Sequence, residues 1–448
     1  MRVRRRRYRV RAVTAVEGRG ALPVTADRLP ALRRRVSGVL ITTQILGGLG
    51  VATGIALAAV LAKQVSGTES LSGLAPTATV TGTAVLSMPF AALMTARGRR
   101  PGLVLGYLVG ALGAGVVVLA ASIGSFPLLL CGMAGFGAAS SANLQSRFAA
   151  ADLAEPEQRA RAISHVVWAT TIGAVLGPNI AAPAGRSVSG LGIPAAAGPF
   201  LWAGAIFLVA AVVVAVMLRP DPLLTARALA PDEDRSPAAR SLRAGFAAVA
   251  ASPRARLALV TVAVSHTAMV SVMAMTPVEL GHHGASIDLV GLVISGHIAG
   301  MYAFSPLMGR LSDRVGRLAG IGLAVGLLAC AAFLAGTAGG SHGRIALGLF
   351  VLGLGWSAGL VSGSALLTDS VPQPARAAAQ GLSDLTMNTS AGIGGAVAGL
   401  VVAEASYGWL NLTAACLLIP LAALALFTRS RKIPVSDVPR RVAGRPGR

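Results

Sequence analysis

Along most of its length the chain alternates apolar runs of membrane-crossing length with short connections rich in Arg, Gly and Pro. An α-helix rises 1.5 Å per residue, so about 20 apolar residues cross roughly 30 Å of hydrocarbon. Runs bounded by Pro, Gly or charge predict six helices in the first half: Gly38–Ala62, Leu71–Thr95, Gly102–Ala121, Phe126–Ala151, Ala162–Ala184 and Pro194–Leu218. The polar stretch RPDPLLTARALAPDEDRSPAARSLRAG interrupts the pattern. Six more runs follow: Leu257–Leu280, Ile287–Leu311, Leu318–Ala338, Ile345–Thr368, Ala378–Ala403 and Trp409–Thr428. The expected fold class is all-α and integral to the membrane, built as two pseudo-symmetric six-helix bundles. The expected organisation is an Arg-rich tail over 1–37, a first bundle over 38–218, a linker over 219–253, a second bundle over 254–428 and a tail over 429–448.

Charge adds an orientation. Of the 39 Lys and Arg, all but Lys63, Arg186, Arg344 and the intramembrane Arg147 fall in the tails and the even-numbered connections. An error of one in the span count would scramble this asymmetry, so the positive-inside bias supports twelve spans. Both termini are expected on the cytoplasmic side of the plasma (inner) membrane. Only 12% of the residues are charged and 54% are hydrophobic, and the connections are too short to hold a catalytic domain of ordinary size. A net charge of +22 would suggest nucleic acid in a soluble chain. Here its position between spans accounts for it, and no nucleic-acid partner is expected. Cys131, Cys330 and Cys416 lie inside apolar runs without a CxxC pair, which argues against disulfide or metal use. Neither a Walker A sequence, an HExxH pair nor a nucleophile elbow is present, so the chain reads as neither an enzyme nor an ATP-driven pump, and no cofactor is expected. The basic start lacks the apolar core of a signal peptide and reads as a cytoplasmic tail.

Two patterns recur at one spacing. After span eight the chain reads Gly309-Arg310-Leu311-Ser312-Asp313-Arg314-Val315-Gly316-Arg317, and 218 residues earlier Ala91-Ala92-Leu93-Met94-Thr95-Ala96-Arg97-Gly98-Arg99 is a degraded copy. Asp369 and Arg376, seven apart after span ten, repeat Asp152 and Arg159 after span four at an offset of 217. A common offset over two halves of six spans indicates parallel repeats. The first nonapeptide fits the G-x-L-x-D-R-x-G-R signature, and from about Gly38 to Thr428 the chain resembles the major facilitator superfamily. The resemblance implies that Asp313, Arg317, Asp369 and Arg376, with Gly309, Arg314 and Gly316 shaping the loop, hold the two halves together on the cytoplasmic face. Charge-assisted bonds between helix ends, and a carboxylate near a helix N-terminus, supply the physical reason. Thr95 stands where the first-half copy should have its Asp, so that contact is expected to be weaker or differently built, with Asp152 and Arg159 still part of it. Span five contains Gly173, Gly177 and Pro178 in a pattern similar to the G-x-x-x-G-P of antiporters in this superfamily. Proline bends a helix and glycines permit tight contact, a combination suited to a hinge or leak barrier.

Ionisable groups inside a bilayer are expensive and are functional candidates. Asn143 and Arg147 share a face of span four, and Asp384 and Asn388 share a face of span eleven. Arg147 and Asp384 are expected to approach each other as a gate or an anion clamp. His266 and His297, near the middle of spans seven and eight, are candidate proton carriers because imidazole titrates in the physiological range. His282 and His283, with Glu279 and Asp288, make only a weak metal grouping. The functional expectation is a secondary transporter working by alternating access, acting as a monomer on a small molecule in the lipid bilayer. Proton-coupled export of an amphiphilic or drug-like compound leads. Uptake of a small polar or anionic solute, and a transport-inactive receptor on the same fold, are the alternatives.

Overall fold

The computed structural model describes residues 28–68, 71, 73–229 and 241–430. The predicted tails over 1–27 and 431–448, and the linker segment 230–240, lie outside the described residues. Helices account for nearly all of the rest, and no strand occurs among the described residues. The first half contains α1 (Leu29–Ser66), α2 (Leu74–Arg97), α3 (Arg99–Ile123), α4 (Phe126–Asp152), α5 (Arg159–Ser187) and α6 (Gly198–Met217). The second contains α9 (Pro253–His282), α10 (Ile287–Tyr302), α11 (Ser305–Val315), α12 (Arg317–Gly336), α13 (His342–Ser370), α14 (Arg376–Glu404) and α15 (Tyr407–Ser430). Between them sit two short helices, α7 (Pro222–Ala228) and α8 (Leu242–Ala251).

Eleven stretches are long and apolar enough to cross a membrane, and a bent pair within span five makes twelve. Several helices outrun the apolar pattern, as α1 does by starting at Leu29, because hydropathy sees the hydrocarbon segment and not the polar turns that continue it. Span eight is divided at Ala303–Phe304 into α10 and α11, with Pro306 in the first turn of α11, where a missing N–H leaves no bond unmade. Span five bends by 42° between Gly177 and Asn179, at Pro178. The two linker helices begin at polar caps: the Asp221 carboxylate accepts from the amides of Leu223 and Leu224, and Ser241 accepts from Ala244.

Each bundle is packed on small residues and a few large ones. In the first, Phe136 meets Phe200 edge-on at 5.4 Å and Phe207 at 5.3 Å. Leu112, Ile123, Val212, Leu400 and Leu426 project outward as a lipid-facing apolar belt. The bundles meet along two related seams, α5 against α10 and α11, and α2 against α14. Both seams run to the face that carries the Arg-rich connections, called here the basic face.

Candidate functional site

The basic face is closed by polar contacts crossing both seams. At the α5–α11 seam Asp313 accepts from the backbone amides of Ala160 and Arg161, at 3.2 and 2.9 Å, in the first turn of α5. A carboxylate there satisfies donors that have no partner within the helix and sits at the positive end of its dipole. Arg317 bonds Asp313, holds Asp369 at 3.0 Å and donates to the Pro156 carbonyl at 2.5 Å. Arg159 reaches across the seam to Asp369 at 2.5 Å. Gly309 permits the seam to close: a Cβ at that position would meet the Ser164 side chain and, at 2.9 Å, the Ala160 carbonyl. Gly316 turns the chain between α11 and α12 with φ +100°, a conformation that favours glycine. Arg314 is exposed at the end of α11. Arg376 donates to the Val371 carbonyl at 3.3 Å.

The α2–α14 seam is built from different residues. Arg99, the last residue of the degraded motif, donates to Asp152 at 2.8 and 3.2 Å, to Gln145 at 3.1 Å and, across the seam, to Gln380. The Gln145 amide donates in turn to Asp384 at 2.8 Å. Arg147 meets the other Asp384 oxygen at 2.6 Å, and its Nε donates to Ser364 at 3.3 Å. The expected approach of Arg147 and Asp384 is therefore present, as one link of a chain running Asp152, Arg99, Gln145, Asp384, Arg147, Ser364. The side chains of the Arg147–Asp384 pair are 2% and 0% exposed, and those of Arg99–Asp152 are 0% and 1%. By contrast the rim pair Arg159–Asp369 is 11% and 25% exposed. Two cations and two carboxylates thus neutralise each other out of contact with water, as burial demands.

The remaining candidates are dispersed. Asn143 accepts from the Tyr107 hydroxyl at 2.8 Å, within the first bundle. Asn388 donates to the backbone carbonyl of Asp384 one turn earlier, at 2.8 Å. His266 Nδ1 accepts from the indole N–H of Trp356 at 2.9 Å, and Tyr302 stands edge-on to the same indole at 5.4 Å. Because indole is only a donor, this bond defines a neutral imidazole with its proton on Nε2. His297 is fully buried with Nδ1 2.7 Å from the Leu349 carbonyl, so Nδ1 carries the proton and the ring braces α10 against α13. Gly173 and Gly177 bring α5 onto the backbone of α1 beside Gly48, Leu49, Ala52 and Thr53. Trp168, on α5, is 40% exposed. No group of three metal-ligating side chains occurs among the described residues.

Arg99, Gln380 and Ser364 were absent from the candidate set. Arg99 was concealed by the degraded motif around it, although it occupies the place of Arg317. Ser364 lies 217 residues after Arg147, the spacing of the repeat, so the internal offset itself was the available signal.

Two parallel helical bundles, joined by a linker and sealed against each other on one face by ion pairs, define a multi-pass membrane carrier of the rocking-bundle type. The Major Facilitator Superfamily model matches residues 39–283 and 257–446, and the chain belongs to that superfamily of secondary transporters. It is 39% identical over 395 residues to the uncharacterized MFS-type transporter YddS of Bacillus subtilis, covering 87% of this chain and 90% of that protein. It is 30% identical over 399 residues to the riboflavin transporter RfnT of Brucella anthropi, covering 88% of this chain and 95% of that protein. Among solved structures, the human organic anion transporter MFSD10 superposes with a TM-score of 0.69 at 18% identity, over 88% of this chain and 99% of that one. The fold and the relatives are those of transporters and not of enzymes.

Proposed function

We propose that the protein exports a small amphiphilic compound bearing a planar ring system, in exchange for protons, across the plasma membrane, with its basic face and both termini in the cytoplasm. The observation that carries the coupling is the Asp384 carboxylate held 2.6 Å from Arg147 between the bundles. A proton on Asp384 cancels one of the two charges and leaves Arg147 buried without its counter-ion, so proton uptake opens the basic face and proton loss reseals it. In this reading Asp384, rather than His266 or His297, carries the proton. His266 already uses its Nδ1 lone pair on Trp356, and His297 sits in a fully buried bracing position.

The ring preference is supported by the His266–Trp356–Tyr302 cluster, by the exposed Trp168, and by the flavin named for RfnT. The export direction rests on the Gly173–Pro178 pattern and the close α1–α5 contact it allows. A second reading, uptake of an anionic solute, is favoured by one atom: Arg147 Nη1 is buried and makes no hydrogen bond, a donor available to a carboxylate or phosphate.

Proteoliposomes carrying a pH gradient and a lumenal pH dye, offered riboflavin, lipophilic ring-bearing cations and simple organic anions, test the proposal. Compound-dependent proton efflux that disappears in Arg147→Ala and Asp384→Ala supports it. Compound uptake running with the proton gradient supports the second reading. Movement of a compound with no proton flux overturns the coupling.

A further inference from the structure

The degraded first-half motif leaves a gap that the linker fills. Where Asp313 bridges the seam at α11, its repeat equivalent Thr95 has no carboxylate, and its hydroxyl donates to the Ala91 carbonyl within α2 at 2.6 Å. Into the same place comes Arg227 of α7. It is 6% exposed, its Nη1 donates to the Thr95 carbonyl at 2.8 Å, and its Nη2 donates to the Pro374 carbonyl at 3.4 Å. Thr95 belongs to the first bundle, and Pro374 to the turn that leads into α14 of the second. A guanidinium therefore spans the seam by donating to two carbonyls, whereas across the intact seam a carboxylate spans it by accepting from two amides. The planar fork suits two acceptors set apart.

The helix bearing Arg227 is itself anchored. Asp221 caps α7 and also accepts from the amide of Arg100 at the start of α3, at 2.7 Å. Its carboxylate lies against Gly98, where φ is +92° and a Cβ would meet the Asp221 oxygens at 2.6 to 2.7 Å. The matching turn at Gly316 has no neighbour within 4 Å of such a Cβ. Leu223 is fully buried beneath the helix.

We infer that Arg227 is a gate-positioning residue of the transport cycle: the linker supplies, from α7, the inter-bundle bridge that the first-half motif has lost, and the basic face opens only when Arg227 leaves Thr95 or Pro374. This inference rests on the alternating-access reading but on neither the cargo nor the proton coupling.

The test is a distance measurement by pulsed electron spin resonance in lipid nanodiscs, with Cys131, Cys330 and Cys416 replaced by Ala. Spin labels are placed at the exposed Ala96 of the first bundle and Arg254 of the second. Arg227→Met keeps the apolar stem and removes the fork. It is expected to raise the ratio of basic-face-open to closed molecules by about tenfold, the scale of a charged hydrogen bond. Adding Thr95→Asp to Arg227→Met restores the α11-type bridge to the first amides of α14 and returns the ratio to within about twofold of the parent. Asp221→Ala, which unseats α7 while leaving Arg227 in the sequence, shifts the ratio in the same direction and serves if Arg227→Met does not fold. Unchanged distances in a folded Arg227→Met or Asp221→Ala protein, or no rescue by Thr95→Asp, overturn the inference. No compound or gradient is present, so these outcomes are independent of the export reading.

Discussion

Replacing Asp384 by Asn tests whether the buried chain closes the basic face. In the wild type Arg147 Nη2 donates to one carboxylate oxygen at 2.6 Å and Gln145 Nε2 to the other at 2.8 Å. Asparagine offers one oxygen and one NH2, so either orientation sets a donor against a donor. Gln145 cannot turn over to relieve this, because its Oε1 already accepts from Arg99 at 3.1 Å. The variant therefore removes the counter-ion of a cation that is 2% exposed and mismatches a hydrogen bond beside it. Breaking one partner of a buried pair typically costs about 3–5 kcal/mol, against about 1–3 kcal/mol for an unsatisfied buried polar group. The closed state alone bears this penalty, since water reaches Arg147 once the bundles part. Even the lower bound shifts the open-to-closed ratio by more than about a hundredfold. Spin labels at positions 96 and 254 should then report predominantly long distances. The double variant Arg147→Gln with Asp384→Asn removes both charges and should lie closer to wild type than Asp384→Asn does. A distance distribution in Asp384→Asn equal to that of wild type refutes the reasoning.

The same geometry fixes a pH response: protonating Asp384 removes the same charge, so acidification should lengthen the distances in wild type, and Asp384→Asn should respond little. Gly309→Leu should fold but fail to seal, because even its Cβ meets Ser164 and the Ala160 carbonyl; long distances in the spin-label assay and loss of transport in proteoliposomes are the expected readouts. Gly177→Val sets a side chain against the Ala52 and Thr53 backbone at 2.9 Å. It should abolish compound-driven proton flux at unchanged protein yield, and unaltered flux would dissociate the α1–α5 contact from transport.

The twelve spans and the pairing of Arg147 with Asp384 were readable in the sequence because each rests on a local rule. Apolar length sets a span, and two intramembrane charges of opposite sign on facing helices have few other partners. The break of span eight at Ala303–Phe304 escaped because hydropathy is blind to backbone direction, and Pro306 inside an apolar run reads equally as a kink. Arg227 escaped for a different reason. It lies in a stretch that composition describes only as polar linker, and its partners Thr95 and Pro374 are 132 and 147 residues away. Backbone carbonyls carry no residue signature, so no pattern of side chains marks that contact.

Duplication gave both seams the same parts, and their divergence determines where the closing energy resides. The close approach is shared: Gly309 faces Ser164 at one seam, and at the other the small residue sits on the opposite partner, where Gly381 faces Ala91. These pairs occupy equivalent positions at the repeat offset, so a glycine permits the close approach at each seam. One ion pair also corresponds, Arg99–Asp152 repeating Arg317–Asp369, but the two differ in burial. At the α5–α11 seam the Arg159–Asp369 pair is 11% and 25% exposed, so water and salt weaken it in part. At the α2–α14 seam the charges are sealed, where losing a partner costs more. The sealed chain is therefore the costlier of the two sets of charges to break. Within that chain Arg99 keeps Asp152, in its own half, as a counter-ion whichever way the bundles rock. Arg147 has its counter-ion only across the seam. Asp384 is therefore the acidic group in that chain whose ionisation matters to closure and not merely to folding, whereas the bonds Arg227 makes across the same seam to the Thr95 and Pro374 carbonyls involve acceptors that do not titrate.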